Sequence, residues 1–361
     1  MKENGKSVLV HLGAGLGNVI QATPMIKCLS RAGFTIDLCI QADYGDVPAL
    51  FRDWQAVRAV SSSGRELAGN TYNYYIIGIC MTADPVRFKN FDTAVSIRLD
   101  YSHRDIPHVS EAGLYLNVAR ILAPGIEVSY ETYCGKSSRD FPEISPATCV
   151  LAPGGKFGFA IKKWDRYDLL AERLGDVAVL GIEKDLDISN SRTFTGPIAA
   201  LAKGYLNHRT FAWRVLKVFS MRTARRMRFG KEAKNYLGRL SLPETAALIN
   251  RAGFFIGNDC GLAHVSIAMG KPTFVLIGPT SVKKNFARFK NVYPISLDYE
   301  CAPCQEKAPE LVMRSSHARH FCPYGIRCLR DMEVDYVLRR VKSILLEKHG
   351  IEIPARSLTS K

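Results

Sequence analysis

The stretch Phe254-Phe255-Ile256-Gly257-Asn258-Asp259-Cys260-Gly261-Leu262-Ala263-His264 runs on through Met269-Gly270-Lys271-Pro272-Thr273 to Ile277-Gly278-Pro279-Thr280, and its reading decides the fold. A short apolar run without polar alternation reads as a strand buried on both faces, as in a parallel sheet. It ends in a polar turn, from which a helix over Leu262–Met269 departs. A second apolar run, Thr273–Ile277, ends in Gly278-Pro279-Thr280. Strand, helix and strand in that order make a right-handed crossover unit. Ligands of open α/β sheets sit outside the carboxyl ends of the strands, so both polar ends point at one crevice. Asp259 either caps its own helix or holds a sugar or ribose hydroxyl. His264, one turn on, also reads as a core histidine.

The same alternation extends outward in both directions. Strands are expected at Ser7–Leu12, Thr35–Ile40, Tyr74–Ile79, Thr93–Ile97, Cys149–Ala152 and Ala178–Gly181. Helices are expected over Val19–Arg31, Ser110–Leu122, Arg166–Leu174 and Leu242–Arg251. The whole, 361 residues, is too long for one ordinary domain of about 100–200 residues. Phe141–Ala147, with Pro142 and Pro146, reads as a linker. The expected organisation is an α/β chain of two Rossmann-like domains with parallel sheets facing a cleft. Residues 1–145 form the first domain and 146–332 the second. A tail, 333–361, carries a helix whose Val334, Val337, Leu338, Val341, Ile344 and Leu345 share one stripe that packs against a domain.

Two further glycine turns follow strands. Gly13-Ala14-Gly15-Leu16-Gly17-Asn18 lacks the sixth-position glycine of a dinucleotide site, and no acid ends the second strand in the usual way. NAD is therefore weakly supported. A turn that offers helix-terminal N–H groups to an oxygen-rich group fits, as does one that only packs helix on sheet. Ala152-Pro153-Gly154-Gly155-Lys156 is followed by Lys162-Lys163-Trp164, a glycine turn with lysines that suits a phosphate. Its spacing is not that of a P-loop hydrolase. A solvated lysine pair is the bland alternative.

Hydrophobic residues at 47% and charged residues at 23% exclude disordered and fibrous chains. No run approaches the roughly 18 apolar residues that span a bilayer, and no export signal is visible, so a cytoplasmic location is expected. The net charge of +15 is concentrated: residues 202–234 hold ten Lys/Arg and one acid, Glu232, leaving only +6 elsewhere. That pattern argues against a chain that coats nucleic acid. Phe211, Val215, Val218 and Phe219 fall at helical spacing, with Arg214, Lys217, Arg225 and Arg228 largely on another face. Such a helix lies on an anionic membrane surface or packs on its own domain. Of ten cysteines, Cys301, Cys304, Cys322 and Cys328 crowd together. With one C-x-x-C pair they suit a structural Zn or Fe site, with His317 or His320 as a substitute ligand, or else are packed thiols.

In this order, Gly13–Pro24, Ala152–Trp164, Ser241–Ile249 and Gly257–Thr280 resemble glycosyltransferase family 9, the bacterial heptosyltransferases of lipopolysaccharide assembly. The resemblance implies the GT-B architecture and an inverting transfer that needs no metal cofactor for chemistry. A nucleotide-sugar donor, ADP-heptose-like, is expected in the second domain and a glycolipid or glycan acceptor at the first. By the resemblance, Lys162 contacts donor phosphate, and Gly154, Gly155, Asn258, Asp259, Cys260, Gly261, His264, Gly278 and Thr280 line the donor site. Gly15, Gly17 and Asn18 face the acceptor. Cys260 stands where Ser or Thr is usual. Asn18 stands where the family commonly has an aspartate proposed as the general base, and an amide cannot take that proton. Either another carboxylate works beside Asn18, or the reaction leans on leaving-group stabilisation by Lys162 and helix N-termini, or the enzyme is weak or divergent.

The resemblance also makes the segment at about 190–235 an insertion. Because the implied acceptor is a phosphorylated glycolipid, it implies peripheral association with the inner membrane face. Some members carry a cysteine finger, including iron-binding ones that glycosylate autotransporters. A protein heptosyltransferase and an inactive nucleotide-sugar-binding homologue are the rivals.

Overall fold

The computed structural model describes residues 6–42, 46–81, 83–102, 104–155, 160–189, 223–309, 322 and 324–353. The first sheet contains β1 (Ser7–Ala14), β2 (Thr35–Ala42), β3 (Ala59–Ser61), β4 (Tyr74–Ile77) and β5 (Val95–Arg98), all parallel, in the order β3-β2-β1-β4-β5. β1 is central, and its Val8, Leu9, Val10 and Leu12 are almost wholly buried, which is why it reads as one apolar run. The order reverses between β1 and β4, so the turn after β1 opens on the crevice.

The second sheet contains β6 (Cys149–Ala152), β7 (Val177–Val179), β10 (Lys234–Asn235), β11 (Phe254–Asn258), β12 (Thr273–Leu276) and β13 (Val292–Ile295). It is parallel throughout, in the order β10-β7-β6-β11-β12-β13. Here the order reverses between β6 and β11. The turns after those two strands therefore flank one crevice, and β12, whose polar end the opening stretch also aims at it, lies parallel beside β11. A small antiparallel pair, β8 (Asp187–Ser189) and β9 (Thr223–Arg226), lies beside this sheet in the chain.

The helices that matter for the site are α1 (Leu16–Arg31), α2 (Glu111–Leu122), α3 (Tyr167–Leu174), α4 (Leu242–Arg251), α5 (Gly261–Ala268), α6 (Val282–Asn285) and α7 (Val334–His349). α4 begins in a capping box: Ser241 Oγ accepts from the Glu244 N–H, and Glu244 returns a bond to the Ser241 N–H at 2.9 Å. α7 turns Val337, Leu338, Val341 and Leu345 into the apolar cluster that holds Trp164, Phe254 and Phe274. The tail helix is thereby part of the second domain's packing.

One apolar cluster crosses between the domains, joining Leu16 and Val19 of α1 to Ala263, Val265 and Phe286. The expected linker is anchored in it, because Phe141 and Ile144 are buried. Strand expectations differ from the structure by no more than two residues at their ends, and Cys149–Ala152 is matched at both. The β8–β9 pair was not read from the sequence, and β9 sets Arg225 in a strand rather than on the expected basic helix; nor were β3, β10 and β13 of the two sheets. Two are only two or three residues long, and β13 carries Pro294, which an edge strand tolerates because its outer N–H side has no ladder to serve. Most of the basic insertion, together with Lys156, His317 and His320, lies outside the described residues. No helix among the described residues is long and apolar enough to cross a membrane.

Candidate functional site

The two segments on which the donor reading depends meet. β6 and β11 are neighbours in register, Gly257 beside Ala152, and Lys162 Nζ donates to Asp259 Oδ2 at 2.8 Å. Both side chains are largely buried, at 17% and 6% exposure. Asn285 Nδ2, from the end of α6, reaches the same carboxylate oxygen at 3.1 Å. Burial pulls the Asp259 pKa upward, but the charge and hydrogen bond of Lys162, with Lys284 behind, outweigh it and hold the pKa to about 2. Asp259 does not cap α5, whose N-cap is Cys260, with no side-chain cap bond. The Cys260 thiol is pushed up to about 12 by burial and stays protonated.

Asn258 is wholly buried and its amide is committed to the protein. It donates to the carbonyls of Pro153 at 2.9 Å and Gly154 at 3.1 Å, and accepts from Trp164 N and Tyr167 Oη. It ties the turn after β6 to the turn after β11 and so shapes the crevice from beneath. Gly154 is glycine because a Cβ would stand 2.5 Å from Asp185 Oδ2. That carboxylate takes the Ile182 N–H at 2.9 Å, so the turn read as a phosphate cradle already faces an internal anion. Burial raises the Asp185 pKa and lowers that of neighbouring Lys163. Gly278 is explained by packing, since a Cβ would meet Leu329 at 2.8 Å. Thr280 is buried just beyond it.

The first domain closes over this edge. A Cβ on Gly17 would lie 2.6 Å from His264 Cδ2, and one on Gly261 would lie 2.9 Å from Leu16 Cβ. The two glycines let α1 and α5 meet end to end. Gly15 serves as the extended N-cap of α1, with the Asn18 N–H returning to its carbonyl at 3.0 Å. His264 stacks on Phe286, ring centroids 5.0 Å apart, and its Nδ1 is buried without a partner among the described residues. Burial lowers its pKa to about 4, so the ring is neutral at pH 7.

Asn18 does not stand alone. Its Nδ2 donates to Glu111 Oε2 at 3.1 Å, and Gln21 Nε2 reaches the same oxygen at 2.9 Å. Glu111 Oε1 takes a bond from Tyr101 Oη and an ion pair from Lys284 Nζ at 3.2 Å, across the domain boundary. Glu111 is 1% exposed. The sequence reading missed this carboxylate. Its signal was an acid at the first position of a helix, after the N-cap Ser110, on the face that buries Ala112, Tyr115 and Leu116.

The four clustered cysteines are brought together. Burial pushes the thiols of Cys304 and Cys328 up to about 12, with Cys301 and Cys322 adding to each. Cys304 Sγ donates to the Pro279 carbonyl at 3.7 Å, next to Gly278 and Thr280. Among the described residues, no three His, Cys, Asp or Glu side chains are arranged to hold a metal ion. A cavity of about 360 Å³ lies at the far end of α4 and α5, lined by Leu50, Tyr133, Lys136, Asn250 and Met269, away from Lys162 and Asp259.

Two facing parallel sheets, with the polar residues gathered at their carboxyl edges, define a GT-B protein. Residues 218–312 match the family model of glycosyltransferase family 9 (heptosyltransferase). Over 84 residues the chain is 34% identical to lipopolysaccharide heptosyltransferase 1 of Pseudomonas aeruginosa, which is 23% of this chain and about a quarter, 24%, of that relative's length. The fold is similar to that of ADP-heptose lipopolysaccharide heptosyltransferase II of E. coli, with a TM-score of 0.58 and 17% identity over 95% of this chain and 99% of the other. It is also similar to TibC, an iron-containing dodecameric glycosyltransferase of enterotoxigenic E. coli, with a TM-score of 0.59 and 14% identity over 96% and 78%. The GT-B architecture and the resemblance to glycosyltransferase family 9 are thereby borne out.

Proposed function

We propose that the chain is an inverting glycosyltransferase that moves heptose from a nucleotide donor, ADP-heptose-like, to a lipopolysaccharide core or related surface glycan. The observation that carries this reading is the Lys162–Asp259–Asn285 group at the carboxyl edge of the second sheet, closed by Gly17 against His264. In this mechanism the diphosphate lies at that edge. The ammonium groups of Lys162 and Lys284 and the N-terminus of α5 face the charge that develops on the leaving phosphate. An acceptor hydroxyl held by the turn at Gly15, Gly17 and Asn18 attacks the anomeric carbon from the opposite side. Every group in this account is a side chain or a backbone dipole, and none of the steps passes through a metal.

A panel of nucleotide sugars in a thermal-shift assay tests the donor, since a ligand of the folded state raises the melting temperature. Transfer from the best donor to lipopolysaccharide truncated before its heptoses tests the acceptor. No shift with any nucleotide sugar would sink the reading. A structural iron or zinc at the four cysteines belongs to the proposal, and well under one metal equivalent in anaerobically purified protein would remove it. So does peripheral association with the cytoplasmic face of the inner membrane. Some of the basic charge is spent internally, Arg225 on Asp168 at 2.6 Å and Arg226 on Glu183 and Asp187. Flotation with anionic liposomes, unchanged on deleting 205–232, would reject that segment's role.

A further inference from the structure

We propose that Glu111 is the base that takes the proton of the acceptor hydroxyl, with Lys284 of the second domain as its counter-ion. The inference rests on the transferase reading above. Asn18 occupies the acceptor turn and its amide points at the Glu111 carboxylate, 3.1 Å away. A hydroxyl that approaches Asn18 therefore stands one hydrogen bond from a group that can accept its proton. The nook is also polar beyond its own needs. Gln21 Oε1 and His264 Nδ1, on residues 2% and 3% exposed, lack partners among the described residues, although buried polar atoms are nearly always paired.

Four donors meet Glu111, and they are not equivalent. Asn18, Gln21 and Tyr101 belong to its own domain, while Lys284 comes from the other side of the cleft. The ammonium of Lys284 also acts on Asp259, at the donor edge. A diphosphate at that edge competes for Lys284 and vacates one lone pair of Oε1 for the acceptor. The groups that face Glu111 are Lys284, Tyr101 and His264, with Tyr115 on its own helix. In the step itself, the hydroxyl proton passes to Glu111 and the oxygen bonds to the anomeric carbon. The bond from that carbon to the phosphate oxygen breaks, and its electron pair leaves with the diphosphate. The carboxylic acid later returns its proton to water.

The test compares wild type, Glu111→Gln, Glu111→Ala and Asn18→Ala in transfer from ADP-heptose to heptose-deficient lipopolysaccharide, with donor affinity measured separately. Loss of a general base lowers kcat by about 10²–10⁴-fold, so Glu111→Gln falls that far with donor affinity undiminished. Asn18→Ala loses about tenfold or less. Formate restores part of the turnover of Glu111→Ala, a rescue that a merely structural carboxylate does not show. If Glu111→Gln melts early, Glu111→Ala with and without formate decides. Wild type that transfers heptose while either Glu111 variant keeps a tenth or more of kcat overturns this assignment alone. Wild type that binds donor and transfers nothing to any acceptor overturns the transferase reading and the assignment with it.

Discussion

Two glycine turns in matching places, 13–18 after the first strand of the first domain and 153–155 after the first strand of the second, are glycine-rich for different reasons. In the first, the missing side chain of Gly17 makes room for His264 of the other domain. In the second, that of Gly154 makes room for Asp185 of the same domain, while Gly155 has open space around it. The first is a contact between domains and the second is an internal brace. A glycine motif therefore says that something approaches the backbone closely, without saying whether it is a ligand, a neighbour or another domain.

The largest effect is expected just past the second turn. Lys162→Met leaves Asp259 buried with only Asn285 bonded to it and Lys284 nearby, and breaking such a pair costs about 3–5 kcal/mol. Urea unfolding measures it; a loss under 1 kcal/mol would mean the pair is effectively solvated. Next comes pH. His264 titrates near 4 when folded and near 6.5 when unfolded, so between those values the unfolded chain binds the extra proton. Stability therefore falls as pH drops from about 6.5 to 4, by up to about 3 kcal/mol. Asp259, held to about 2, adds a further loss between about pH 4 and 2. His264→Gln should flatten the first phase and leave the second, and an unchanged profile would contradict the placement of that ring.

Smaller effects separate the turns themselves. Gly17→Ala drives a methyl into His264 and should cost about 1–3 kcal/mol, with weakened domain closure visible as a larger radius of gyration in solution scattering. Gly155→Ala meets nothing within 4 Å and should stay within about 0.5 kcal/mol of wild type. Equal effects at the two positions would erase the distinction between the turns.

The sheets were legible because β1, β6, β11 and β12 are central and buried on both faces, so their sequences are largely apolar runs, with His11 the buried exception in β1. The sequence put Lys162 and Asp259 in one site only by resemblance; their pairing comes from the topology, since adjacent parallel strands bring their carboxyl ends together. Glu111 was not legible: nothing local distinguishes an acid buried across a domain boundary from one that merely favours a helix N-terminus. Asn258 was misleading in another way, because a polar residue at a strand's carboxyl end serves a ligand or the neighbouring turn equally well, and here it serves the turn.

The central claim is that the edge carrying Lys162 and Asp259 holds the donor's diphosphate. Isothermal titration of ADP into wild type and Lys162→Met, under conditions where both are folded, tests it most directly. The account predicts saturable one-to-one binding to wild type and affinity at least about tenfold weaker in the variant, a difference of about 1.4 kcal/mol. Equal affinity in the two proteins, or no saturable binding to wild type, would contradict it.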